Sequence, residues 1–128
     1  MPKKPAVLNV QKLKADALQF DLQREMLPLL ERVRGNKSKR TAKTLVKEGP
    51  LRVLIAAVDT GGSLEEHTID GPFSVQCLLG KATVTMGRTK KELATGDLLV
   101  VDAGIPHDVK ATEASILLIT ITTGGGED

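Results

Sequence analysis

The chain contains two histidines, and each lies in a block of spaced glycines. The first block reads Gly61-x5-His67-x-Ile69-x3-Phe73-x6-Gly80 and the second Gly96-x5-Asp102-x-Gly104-x2-His107. Neutral imidazole is a ready ligand for divalent metals and a polar handle for an organic molecule. Two imidazoles alone would leave a metal mostly solvated, since such ions need several N, O or S donors. In an extended strand residues of equal parity share a face, so an inward His67 would bring Glu65 and Ile69 with it and turn Glu66 away. Glu65, His67 and His107 could then hold a divalent transition metal as a two-histidine, one-carboxylate set. The same parity turns Phe73, Val75, Cys77 and Leu79 inward. That arrangement also describes a pocket for a small, partly apolar ligand, walled by Ile69, Phe73, Val75 and Cys77 with His67 and His107 as polar groups. A filled core with two hydrogen-bonded histidines would use these residues equally well.

Other chemistries find less support. Cys77 is the single cysteine, so no internal disulfide forms, and its neighbours Val75, Gln76, Leu78 and Leu79 offer no cation to activate a thiolate. A buried, unreactive thiol is expected. No Ser-His-Asp order or zinc Cys/His spacing stands out, and Gly61-Gly62 precedes a strand rather than the helix of a phosphate-binding loop. Trp and Tyr are absent and Phe20 and Phe73 are the only aromatics, which argues against base-stacking surfaces for single-stranded nucleic acid. Seven basic residues, Arg32, Arg34, Lys37, Lys39, Arg40, Lys43 and Lys47, fall between Glu31 and Glu48 with no acid among them. Without a recognition motif they read as a solvated helix end and loop rather than a nucleic-acid or protein interaction module. The net charge of +2 is too small to imply a polyanionic partner by itself.

The elements that must position these residues follow from periodicity. From Asn9, a plausible N-cap, to about Arg34, apolar residues at Val10, Leu13, Ala17, Phe20, Leu27, Leu30 and Val33 keep a helical spacing. Pro28 favours a kink or two short helices over one rod, and Gly35-Asn36 closes the segment. Beyond it, Thr41–Val46, Arg52–Val58, Phe73–Leu79, Ala82–Met86, Asp97–Asp102 and Ser115–Thr122 are short, apolar and bounded by turn residues, the pattern of an all-β sandwich or barrel. The expected organisation is a helical extension over 1–36, a β-barrel over 37–123 and a flexible tail over 124–128.

The two glycine-to-histidine blocks resemble the paired motifs of the cupin superfamily, G-x5-H-x-H-x3-4-E-x6-G and G-x5-P-x-G-x2-H-x3-N. Gly61, His67, Gly80, Gly96, Gly104 and His107 fall in register, and Lys81 to Thr95 forms the short gap of small single-domain bacterial cupins. The resemblance covers about residues 40 to 122. It implies a double-stranded β-helix, a jelly-roll barrel, with the motif histidines directed into its cavity. Four positions depart from the motifs: Ile69 replaces a histidine, Phe73 the glutamate, Asp102 the proline and Ala111 the asparagine. Of the family's usual three histidines and one glutamate, His67 and His107 remain, so the metal site reads as degenerate.

The expected function is therefore small-molecule or metal-ion binding around His67 and His107. The enzymatic alternative is a metal-dependent dioxygenase or isomerase-type cupin with Glu65, His67 and His107 as ligands. The resemblance also implies a homodimer. An aliphatic outer face, for which Leu54 and Ala56 opposite Val53 and Ile55 are candidates, suits a second subunit or the helical extension. No apolar run approaches the roughly 18 residues of a membrane span, no signal-peptide core follows the basic N-terminus, and a cytoplasmic location is expected.

Overall fold

The computed structural model describes residues 16–67 and 69–123, the side chains of residues 65–67 excepted. The proposed cap at Asn9, the apolar positions Val10 and Leu13, and the tail 124–128 lie outside the described residues.

Among the described residues one helix, α1 (Leu22–Arg34), precedes the strands. Its N-cap is Asp21, whose side chain accepts a hydrogen bond from the Arg24 amide at 3.2 Å and so satisfies one of the unpaired first-turn donors. Residues 16–20 are exposed and outside any helix, which removes Ala17 and Phe20 from the expected stripe. Of the two alternatives expected at Pro28, the pair of short helices is corrected, because a single helix runs through it. Pro28 lies on the exposed side, where water can satisfy the Arg24 carbonyl that loses its intrahelical donor. Leu29 and Val33 form the buried side and pack on Ile55, Ala57 and Ile116.

Nine strands follow among the described residues: β1 (Arg40–Glu48), β2 (Leu51–Val58), β3 (Ser63–His67), β4 (Phe73–Leu79), β5 (Lys81–Met86), β6 (Thr89–Ala94), β7 (Leu98–Val101), β8 (His107–Ala111) and β9 (Ser115–Thr122). They form two antiparallel sheets, of order β1-β2-β9-β4-β7 and β3-β8-β5-β6. Neighbours in each sheet are mostly distant in sequence, as a jelly roll requires. The strands β6 and β8 come in addition to those expected, and the run expected over Asp97–Asp102 shortens to Leu98–Val101.

Alternation sorts the larger sheet into two faces. Leu54, Val58, Phe73, Val75, Cys77, Val101, Leu117, Ile119 and Ile121 meet Val84, Val109 and Ala111 of the smaller sheet in one core. Ile55, Ala57, Ile116 and Leu118 face the other way, toward α1. The outer face of β2 is thus the odd-numbered set, and Leu54 and Ala56, expected outside, alternate to the inside. Leu79 is likewise corrected. A register shift between Cys77 and Leu79 breaks the alternation, and Leu79 is 41% exposed. At Gly80 the backbone has φ +87°, and a Cβ there would run into the Ala114 carbonyl. Glycine is therefore required at this turn on both counts.

Candidate functional site in the barrel mouth

His107 is the first residue of β8 and is 2% exposed. Its ring stacks on Phe73, the first residue of β4 in the opposite sheet, with centroids 4.3 Å apart and planes inclined by 30°. Phe73 is itself 3% exposed. The His107 Nδ1 lies 3.1 Å from the Ile105 carbonyl oxygen. A carbonyl only accepts, so a neutral His107 carries its proton on Nδ1 and presents Nε2 as the acceptor. The turn that sets this geometry uses Gly104 at φ +77°. The Gly104 amide donates to the Ile69 carbonyl at 2.9 Å, which places Ile69, 8% exposed, against the same turn. Asp102, at the motif's proline position, caps that turn by accepting from the Ala103 amide at 2.7 Å. Ala111, at the asparagine position, is buried and bonds through its backbone to Gly61 and Gly62.

Residues 67 and 107 are Cα partners across β3 and β8. The ladder shifts register between Leu64 and His67, so simple parity does not run through residues 65 and 66. This removes the premise that grouped Glu65 with His67 and Ile69. It does not locate their carboxylate or imidazole, since the side chains of Glu65 and His67 lie outside the described residues. Among the described residues no three His, Cys, Asp or Glu side chains converge as a metal would require. At the described part of the site the donor set is His107, bordered by the apolar Phe73 and Ile69, and it does not by itself fit a divalent ion.

The ligand-lining residues separate along the barrel. Val75 is buried one inward position below Phe73, and Cys77 one further. Four residues of strand put Cys77 about 13 Å from Phe73, so the structure does not bring it to His107. Its thiol is fully buried and donates to the Leu79 and Gly80 carbonyls at 3.3 and 3.4 Å. Loss of water around the thiol pushes its pKa up, with Asp97 and Glu113 adding to the rise, while a hydrogen bond to the Leu79 backbone acts the other way. Cys77 is therefore a core residue at the opposite end from the histidine.

A cross-strand row through Phe73 is set by register and is not apparent from the sequence. Lys47 pairs with Arg52, Arg52 with Ile121, Ile121 with Phe73 and Phe73 with Val101. Arg52 has the inner-face parity of Leu54 and is half-buried, and a register shift between Thr44 and Val46 turns Lys47 to the same face. The inward row that holds the stacked Phe73 therefore ends in two cations. Finding it needs the strand register, which no local pattern encodes.

The paired sheets and the inward His107 can be set beside known structures. A cupin superfamily protein from Desulfitobacterium hafniense matches with a TM-score of 0.67 at 21% identity, over 76% of this chain and 89% of its own. The chain has the cupin fold. A conserved protein of unknown function from Streptococcus pyogenes matches over 93% of this chain and 96% of its own, with a TM-score of 0.69 and 25% identity. A mutant of salicylate 1,2-dioxygenase from Pseudoaminobacter salicylatoxidans matches with a TM-score of 0.66 at 19% identity, over 79% of this chain and 32% of that one. No family model matches the sequence, and no curated protein matches it. The cupin barrel here thus has relatives by shape at low identity, as the motif spacing suggested.

Proposed function

We propose that this cupin barrel binds a small, partly apolar organic molecule at its mouth without a metal, using His107 as a polar contact and Phe73 as a wall. One observation carries the reading: at the position of the motif glutamate a buried phenyl ring lies against the His107 imidazole. A carboxylate there would attract a cation, whereas a phenyl ring supplies apolar surface and a face for stacking. Ile69, in place of a motif histidine, extends that surface. Apolar walls with a few fixed polar groups are the usual composition of small-molecule sites.

A second reading is a metal-dependent dioxygenase- or isomerase-type enzyme held together by Glu65, His67 and His107. It is favoured by the Cα pairing of residues 67 and 107. Elemental analysis of untagged protein, purified without chelator or nickel resin and then titrated with iron, manganese, nickel and zinc, separates the two. Substoichiometric metal that is removed by dialysis is the expected result. Near one metal per chain, lost in both His67→Ala and His107→Ala, would overturn the metal-free site and put the enzyme reading first.

A further inference from the structure

We infer that the molecule bound at the barrel mouth is a small organic carboxylate, and that Arg52 and Lys47 recognise its charge. This rests on the proposed ligand site and specifies the ligand class. Arg52 and Lys47 are direct cross-strand partners, and like charges in that relation repel. Neither makes an ion pair among the described residues, where the salt bridge present joins Lys43 to Glu25. The pair sits at one end of the row that continues through Ile121 to Phe73, the residue stacked on His107. Two strand spacings, about 10 Å, separate the backbones of Arg52 and Phe73, with Ile121 between them, a span within reach of an arginine side chain and a small ligand together. A guanidinium offers paired donors to a carboxylate, and Lys47 adds a second positive charge.

The rest of the row selects the ligand body. Ile121, Phe73 and Val101 are apolar, and all belong to the barrel core or pack against it. A bare phosphate would lose hydration against such walls without compensation. A monocarboxylate with an aliphatic or aromatic body matches both ends of the row, charge toward Arg52 and carbon toward Phe73.

Benzoate and benzamide are close in shape and differ in charge, so titration calorimetry with both on metal-free protein tests the inference. Wild type is expected to bind benzoate about tenfold or more tightly than benzamide, the range for a hydrogen bond to a charged group. Arg52→Gln is expected to abolish that preference and leave benzamide binding in place. Lys47→Gln, at a more exposed position, is expected to reduce the preference severalfold. Without ligand, the Tm of Arg52→Gln should equal or exceed that of wild type, because one of two repelling charges is gone; a residue held only for structure would lower it. Equal affinity of wild type for benzoate and benzamide overturns the inference while leaving the ligand site standing. Undiminished benzoate binding in both variants also overturns it. Binding of neither compound at millimolar concentration overturns both the inference and the ligand site beneath it.

Discussion

Cys77 shows how a single residue can look chemical in sequence and be inert in place. Its thiol is enclosed at the far end of the barrel from His107, and burial raises its pKa above the ordinary 9.0. A raised folded-state value means that the neutral thiol favours the folded state. This contribution is fully present below the unfolded pKa and is lost as pH climbs through the folded one. Native protein is therefore expected to resist iodoacetamide at pH 8 and to label fully in urea. Stability should fall more steeply above about pH 9 than in Cys77→Ala. Rapid labelling of the native thiol at pH 8 would contradict its enclosure. Phe73 behaves differently: its inward direction is legible from parity, but its partner is not, because His107 reaches it from the opposite sheet. Arg52 was illegible for the same reason. A basic residue at the start of an apolar run looks like a solvated strand end until register places it inside.

Element by element, legibility tracks how local the cause is. The bounds of β4 and β9 agree with the sequence expectation because Gly, Pro and Ser bracket the apolar runs. Gly80 and Gly104 were readable as turn residues because positive φ is a local demand. The strands β6 and β8 were hidden. The first, Thr89–Ala94, is mostly polar because much of it is exposed, and the second begins inside a motif read for its histidine. Register shifts defeated parity in two places, moving Leu79 outward and leaving Glu65 without a parity argument. The helix exposes a different limit. Pro28 would be disruptive in a buried turn, yet it is tolerated on the wet side of α1. Interior proline still costs about 3 kcal/mol relative to alanine. Pro28→Ala is accordingly expected to stabilise the protein by about 1–3 kcal/mol, read as a higher urea midpoint at unchanged slope. An unchanged or lower midpoint would contradict a cost of proline at this exposed position.

At the scale of the whole molecule, α1 covers part of the larger sheet's outer face, and Leu98 and Val100 on β7 stay 60% and 66% exposed. Among the described residues no helix is long and apolar enough to cross a membrane. We propose a homodimer, for which light scattering should give about twice the chain mass of 13.7 kDa. Val100→Asp is expected to shift the protein toward monomer if this face is the contact, and a wild-type monomer at all concentrations would end the expectation. Three residues of the basic run are directed to different partners or faces. Lys43 is paired with Glu25 at 2.7 Å, the Arg40 guanidinium donates to the Ser63 carbonyl at 3.3 Å, and Lys47 turns to the barrel's inner face. What the fold does line up is a cross-strand row from Lys47 and Arg52 through Ile121 to Phe73, the residue stacked on His107. The most direct measurement is a side-chain NMR titration of chelator-treated protein with small organic carboxylates, following the rings of Phe73 and His107 and the methyl groups of Ile121. Saturable shifts at all three without added metal are the expected result. Shifts that arise only after a divalent metal is added, or that bypass Phe73 and His107, would contradict a metal-free ligand site in the barrel mouth.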